Sequence, residues 1–249
     1  MSGRYIDAGG VRTYYEERGE GKPLVMLHGD LFNLENFKGQ VEDFASKFRV
    51  ITPERRGHGR TSDVSALYSY PAFADDAIAF IEKLGLSSVY LLGHSGGASI
   101  ALLVIVKRPD LVDKLVYVSG EYKSKTTQEQ RREIRASTQE DFFNQVPSAL
   151  VESIQRVMPN WQDNFPILWE KMKEAFTADW EVSSEQLALI KAPTLLMSAD
   201  RDFLPVEDVM ALFRSIPNAQ LCIVPGADHG LLAKKPRIVN PIIMKFLEG

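Results

Sequence analysis

The sequence predicts an α/β fold, a mostly parallel sheet with helices on both faces, and three observations carry that reading. Short β-branched or apolar runs alternate with longer segments of helical period along most of the chain. A glycine-paired hairpin opens the sequence. A Gly-x-Ser-x-Gly pentad stands where one apolar run gives way to a helical segment.

The opening segment, Tyr5 to Asp7, then Gly9-Gly10, then Val11 to Tyr15, reads as a hairpin because paired glycines supply the positive φ of a tight turn. Strands follow at Leu24 to Leu27, Val50 to Thr52, Val89 to Leu92, Leu115 to Val118, Thr194 to Met197 and Leu221 to Val224. Helical periodicity fills the gaps at Asn36 to Ser46, Ala72 to Leu84, Ser99 to Lys107, Val206 to Ser215 and Ile238 to Leu247. Each strand thus leads into a crossover. Pro109, Pro205 and Pro236 fall at element boundaries, where a missing backbone N–H does least damage.

Between Glu121 and Ser184 the alternation stops, and the chain carries helical period, many charges and no convincing strand. A main domain is therefore expected over 1–121 and 185–249, with 122–184 as a helical insertion. Phe142, Phe143, Val146, Leu150, Ile154, Val157 and Met158 recur at spacings near 3.6, and all the tryptophans, Trp161, Trp169 and Trp180, lie here. Most of these rings read as the insertion's own core and its seam with the main domain. Trp161, Trp169 and Phe142 are singled out as candidates to line a substrate pocket, whose apolar walls would suit an aliphatic or aromatic acyl group.

A chain of 249 residues buries about three quarters of its unfolded surface, enough for one domain with an insertion. Hydrophobic residues at 45% and charged residues at 25% leave no argument for disorder. A net charge of -4 gives no broad positive field, so nucleic acid is not an expected partner. Nor is a membrane: no run approaches the ~20 apolar residues of a span, and Met1 to Gly10 lacks the basic-then-apolar pattern of a signal peptide. The lone cysteine, Cys222, cannot close an intramolecular disulfide and reads as an inert thiol on a buried strand, and a reducing cytoplasm is the expected location.

The chemistry centres on Gly93-His94-Ser95-Gly96-Gly97, at a strand-to-helix turn. Such a turn holds the serine in a strained conformation above the sheet edge, and small neighbours let the main chains approach. A serine hydroxyl needs a base with a pKa near 7, and imidazole suits that task. His94 adjoins Ser95 and points elsewhere, and His28 and His58 lie in loops upstream. His229, in Gly226-Ala227-Asp228-His229-Gly230, is the only histidine downstream of Ser95 and is the expected base. The acid that orients it should lie at the carboxyl end of a neighbouring strand. Asp202 is the leading candidate and Glu121 the competitor, while Asp200 is expected to fasten its turn and Asp228 to be a loop carboxylate.

A tetrahedral intermediate also needs two N–H donors. The N–H of Gly96 is one candidate. The second is sought after Leu24 to Leu27, where Asp30 N–H leads and Leu31 is the reserve. A carboxylate turned inward would oppose the oxyanion, so the Asp30 side chain is expected to face away and cap the loop near Asn33.

Taken together, His28-Gly29, Arg56-Gly57-His58-Gly59-Arg60-Thr61-Ser62, Gly93 to Gly97, Asp202 and Pro225 to Gly230 resemble the α/β-hydrolase superfamily nearly from end to end. The chain is most similar to the small capped esterases, lactonases and cofactor-free haloperoxidases. That resemblance implies an eight-stranded sheet, a helical cap after the sixth strand, and neither a metal nor an organic cofactor. Glu54-Arg55 stands where members more often show aspartate and leucine, and the turn is read as structural. Similar dehalogenases and epoxide hydrolases carry an aspartate nucleophile, so Ser95 argues against both chemistries.

The expected activity is hydrolysis of a small or medium carboxylic ester or lactone through an acyl-enzyme on Ser95, by a monomer or homodimer whose partner is that small molecule. Two other readings stand beside it. One is cleavage of a carbon-carbon or carbon-nitrogen bond by the same triad. The other is a signalling receptor in which a nearly idle triad binds a small ligand and a moving cap recruits a protein.

Overall fold

The computed structural model describes residues 3–249, so Met1 and Ser2 of the opening segment lie outside it. Strands β1 (Arg4–Ala8) and β2 (Val11–Arg18) form the expected hairpin. Gly9 and Gly10 take φ of 57° and 82°, the pair of positive values that a mirror-image turn demands. Strands β3 (Lys22–Leu27), β4 (Phe48–Pro53), β5 (Val89–His94), β6 (Val112–Val118), β7 (Thr194–Ala199) and β8 (Ala219–Val224) complete an eight-stranded sheet of order β1-β2-β4-β3-β5-β6-β7-β8. From β4 to β8 every pairing is parallel, and β2 joins β4 antiparallel.

The strand order reverses at β3, which sends its chain one way to β4 while β5 lies on its other side. Loops leaving β3 and β5 therefore open a crevice at the carboxyl edge, where ligands collect in open α/β sheets. The interior strands are buried on both faces. Leu24 and Met26 of β3, Leu92 of β5, Val116 and Val118 of β6, and Met197 of β7 pack into one layer. Their neighbours Val25, Leu27, Leu91, Leu115, Tyr117 and Leu196 pack into the other. That division is the two-residue period of a strand read on both faces at once. Edge strand β8 is wetter, and Cys222 is only half buried there, not fully buried as its apolar neighbours suggested.

Helices α1 (Lys38–Ala45), α2 (Tyr70–Lys83) and α3 (Gly96–Lys107) cross between the first strands. Helix α1 is entered through a 3-10 turn at Leu34–Phe37 capped by the Asn33 side chain, which accepts the Glu35 N–H at 2.9 Å. Helix α2 starts at Tyr70, two residues before its expected start, because Ser69 caps it and Pro71 fits its first turn. Helix α3 starts three residues before the expected Ser99, directly after the candidate nucleophile.

After β6 come α4 (Gln128–Ala136), α5 (Gln139–Gln145), α6 (Ser148–Val157) and α7 (Trp161–Thr177), then the short α8 (Ser184–Ala188). Thr127 and Thr138 cap α4 and α5 with reciprocal boxes to Gln130 and Asp141. The two linkers of this segment meet in a Lys123–Glu181 bridge, where Ser124 N–H donates to the Trp180 carbonyl and Val182 N–H to that of Tyr122. Buried Leu150, Ile154, Phe165 and Met172 join the main apolar cluster. Helices α9 (Val206–Ser215), α10 (Leu231–Lys234) and α11 (Pro236–Glu248) close the chain, α11 beginning at Pro236 itself. Among the described residues no helix is long and apolar enough to cross a membrane.

Candidate active site

Ser95 sits between the end of β5 and the first residue of α3, with φ 55° and ψ -128°. An L-residue adopts that left-handed region only under constraint. Its N–H donates to the Val118 carbonyl at 2.9 Å, which pins the turn to β6. The glycines around it leave no room for side chains. A Cβ on Gly93 would lie 2.2 Å from the Gly97 carbonyl oxygen, and one on Gly97 would lie 2.0 Å from that of Leu27.

His229 follows β8 and reaches Ser95 across the crevice. Its Nε2 lies 2.9 Å from Ser95 Oγ, and its Nδ1 lies 2.9 Å from Asp202 Oδ1. With Nδ1–H donating to the carboxylate, Nε2 is left to accept the serine proton. The Asp202 side chain is buried, and its Oδ1 also accepts the Leu204 N–H at 3.1 Å. Burial pushes its carboxyl up, but the His229 contact, the Ser119 hydroxyl and the Leu204 N–H outweigh burial and hold it below the ordinary carboxylate range. Ser119 has φ 49° at the end of β6. Asp200 accepts the Ala227 N–H at 3.2 Å and Asp228 the Gly230 N–H at 3.0 Å, so both fasten loops. Glu121 makes no contact with the His229 ring among the described hydrogen bonds and ion pairs and faces a cavity instead.

The other histidines are buried in fixed roles. His28 Nε2 accepts the Arg55 N–H, and His58 Nε2 accepts the Leu31 N–H, each at 3.1 Å. The second bond removes Leu31 as an oxyanion donor. Burial, then the charge of Arg55, holds His28 down to about 3, and the same causes hold His58 well below its usual value. Burial likewise takes His94 down to about 4, and its Nε2 lies 2.9 Å from the His229 carbonyl. His94 thus braces the loop that carries His229.

The N–H groups of Gly96 and Asp30 donate to no acceptor among the described residues. The Asp30 side chain, however, turns inward rather than away. A Cβ on Gly96 would lie 2.2 Å from either Asp30 carboxylate oxygen. Tyr70 Oη donates to Asp30 Oδ2 at 2.6 Å, and Arg55 Nη2 approaches Oδ1 at 2.8 Å, near enough to pair but poorly aligned for a hydrogen bond. These partners hold Asp30, while Asn33 is occupied with Glu35 and with Ser153 Oγ at 3.1 Å. Arg55 is therefore part of the site's electrostatics as well as of its turn. Neither it nor Tyr70 is marked by a motif; an unusual aspartate in the loop after β3 was the available signal that a counter-charge had to exist.

Beyond Asp30 and Tyr70 opens a cavity of about 250 Å³, walled by Tyr70, Glu121, Lys125, Gln130, Phe176 and Trp180 among others. Trp161, Trp169 and Phe142 are not in that wall. Trp169 donates Nε1–H to the Ser137 carbonyl and lies 5.4 Å from the Phe142 ring, and Trp161 packs on Phe143 at 6.2 Å. These rings fill the insertion's own core. Trp180, 4.8 Å from Tyr70, is the tryptophan at the cavity, whose wall is more polar than the expected apolar lining. Phe203, 75% exposed, holds its ring 4.3 Å from that of His229 on the outer side.

A family model described as alpha/beta hydrolase fold matches residues 22–236. The chain belongs to the alpha/beta hydrolase family. Within that family it is 27% identical to a non-heme chloroperoxidase of Streptomyces lividans, over 99% of this chain and all of the relative. It is 40% identical, over 45% of this chain and 42% of the relative, to an (E)-2-((N-methylformamido)methylene)succinate hydrolase of Acinetobacter baylyi. The fold of a bromoperoxidase from Bacillus anthracis superposes with a TM-score of 0.86 at 23% identity, covering both chains completely. Hydrolase activity is what this membership supports.

Proposed function

We propose that this hydrolase cleaves a small or medium carboxylic ester or lactone through an acyl-enzyme on Ser95. The observation that carries the proposal is the unbroken chain of contacts from Asp202 through His229 to Ser95, 2.9 Å at each step. Ser95 Oγ attacks the ester carbonyl as His229 Nε2 takes its proton, and Asp202 stabilises the imidazolium. The oxyanion settles against the N–H groups of Gly96 and Asp30. Collapse expels the alcohol, protonated by His229, and a water activated by the same ring then releases the acid. The helical segment 122–184 serves as the cap over this reaction. Its attachment through the paired linkers, and through Lys171 to Asp63 at 2.6 Å, supports that role.

The polar cavity wall and the Acinetobacter baylyi relative favour one second reading, hydrolysis of a carbon-nitrogen bond by the same three residues. Steady-state assays with p-nitrophenyl acetate and with matched amides separate the two. The ester reading requires turnover of p-nitrophenyl acetate that falls at least about a thousandfold in Ser95→Ala. Undiminished turnover by that variant ends it, and a preference for the amides selects the second reading.

A further inference from the structure

Among the charged side chains that line the cavity beyond Tyr70, one has no ion pair among the described residues. Lys125 Nζ is ion-paired with Asp208, and Tyr70 Oη is committed to Asp30. Gln130 Oε1 accepts the Thr127 N–H at 2.9 Å. The Glu121 carboxylate makes no hydrogen bond or ion pair among the described residues, although its own N–H is fixed by Ser99 Oγ at 3.1 Å. Three carboxylates gather here, and two have partners: Asp30 faces Arg55 and Asp208 faces Lys125. Glu121 is the one of the three without an ion pair of its own. The rings of Tyr70, Phe176 and Trp180 share its cavity, Tyr70 and Trp180 at 4.8 Å and 34°. A carboxylate without an ion pair, in a cavity also lined by aromatic rings, is complementary to a cation, which the carboxylate attracts by charge and an exposed ring face by its quadrupole.

We propose that this cavity receives a cationic amine or quaternary ammonium group on the acyl part of the substrate, with Glu121 as its counter-charge and Tyr70 and Trp180 as its aromatic walls. The proposal rests on the ester-hydrolase reading, because it requires the acyl chain of an ester on Ser95 to run past Asp30 to the Tyr70 wall of the cavity. Burial, reinforced by Asp30 and Asp208 and opposed by Lys125 and His229, holds the Glu121 carboxyl above the ordinary range. A bound cation favours its ionised form and so gains from a site that costs the empty protein.

The test compares two esters of one shape, p-nitrophenyl 4-(trimethylammonio)butanoate and p-nitrophenyl 5,5-dimethylhexanoate. The wild-type protein is expected to favour the cationic ester in kcat/KM by at least about tenfold, and Glu121→Gln to bring that ratio to about one. A wild-type ratio near or below one, or a cationic preference that survives in Glu121→Gln, overturns the proposal. A second measurement needs neither turnover nor a Glu121 variant: calorimetric binding of the two corresponding amides to Ser95→Ala. Tighter binding of the cationic amide supports the cavity assignment even where neither ester is hydrolysed, a result that would count against the ester reading alone. Equal or weaker binding of the cationic amide overturns it.

Discussion

Asp30 is the residue whose position most changes the chemistry. Its carboxylate lies against Gly96, beside the N–H groups assigned to the oxyanion, and is compensated by Arg55 and by the Tyr70 hydroxyl. Replacing that charge while keeping the shape leaves Arg55 uncompensated next to the developing oxyanion, which favours the transition state. Asp30→Asn is therefore expected to raise kcat several-fold, on the order of 1 kcal/mol in the barrier, while lowering thermal stability because a buried cation loses its partner. A fall in kcat with unchanged stability would contradict this account. Asp202→Asn is expected to lower kcat by about ten-thousand-fold with little change in KM, since the amide presents an N–H to His229 Nδ1 and favours the wrong tautomer. Steady-state kinetics at matched folding, checked by circular dichroism, reads both effects. That Ser95, His229 and Asp202 would meet was legible because residue type, chain order and strand ends are local properties of a sequence. The path of the Asp30 side chain was not, because it depends on Arg55 and Tyr70, which come from other elements.

Among the elements, the turn from β5 to α3 has the least tolerance for change. Its glycines are required by close approach, with the Leu27 carbonyl only 2.0 Å from any Cβ at Gly97. Gly97→Ala is expected to destabilise the fold by about 3 kcal/mol, read by chemical denaturation, because backbone rather than a side chain must move. A cost below about 1 kcal/mol would mean that β3 yields more easily than its burial suggests. The strands were legible from their apolar runs, since β3, β5, β6 and β7 are covered on both faces. Helix starts were less so. Gly96 and Gly97 are poor helix formers and hide the true start of α3, and the Ser69 cap of α2 competes with the apolar pattern that begins after it. The aromatic spacing of the insertion revealed helices but not which rings face the cavity, a property of how α5 and α7 pack rather than of period.

For the whole molecule, buried titratable groups link stability to pH. Glu54 is fully buried, and burial pushes it up to about 7 from an ordinary 4.5 despite its bonds to Arg60. A raised folded pKa means that the native state binds the extra proton between those values. The Glu54 contribution is thus fully present below pH 4.5 and is lost as pH rises through 7, an effect of about 3 kcal/mol at most. Relative to the wild type, Glu54→Gln is expected to gain stability progressively from pH 5 to pH 8 in urea titrations. A constant difference across that range would contradict the assignment. At this scale the sheet order brings loops after β3, β5, β7 and β8 to one edge, so residues 107 positions apart, Ser95 and Asp202, share one imidazole. The most direct test of that convergence is mass spectrometry of the protein quenched during its first turnover with p-nitrophenyl acetate. The predicted result is one acetyl group on the peptide that carries Ser95, formed with a stoichiometric burst of p-nitrophenol and absent in Ser95→Ala. Sustained hydrolysis with that peptide unmodified and no burst would contradict the account.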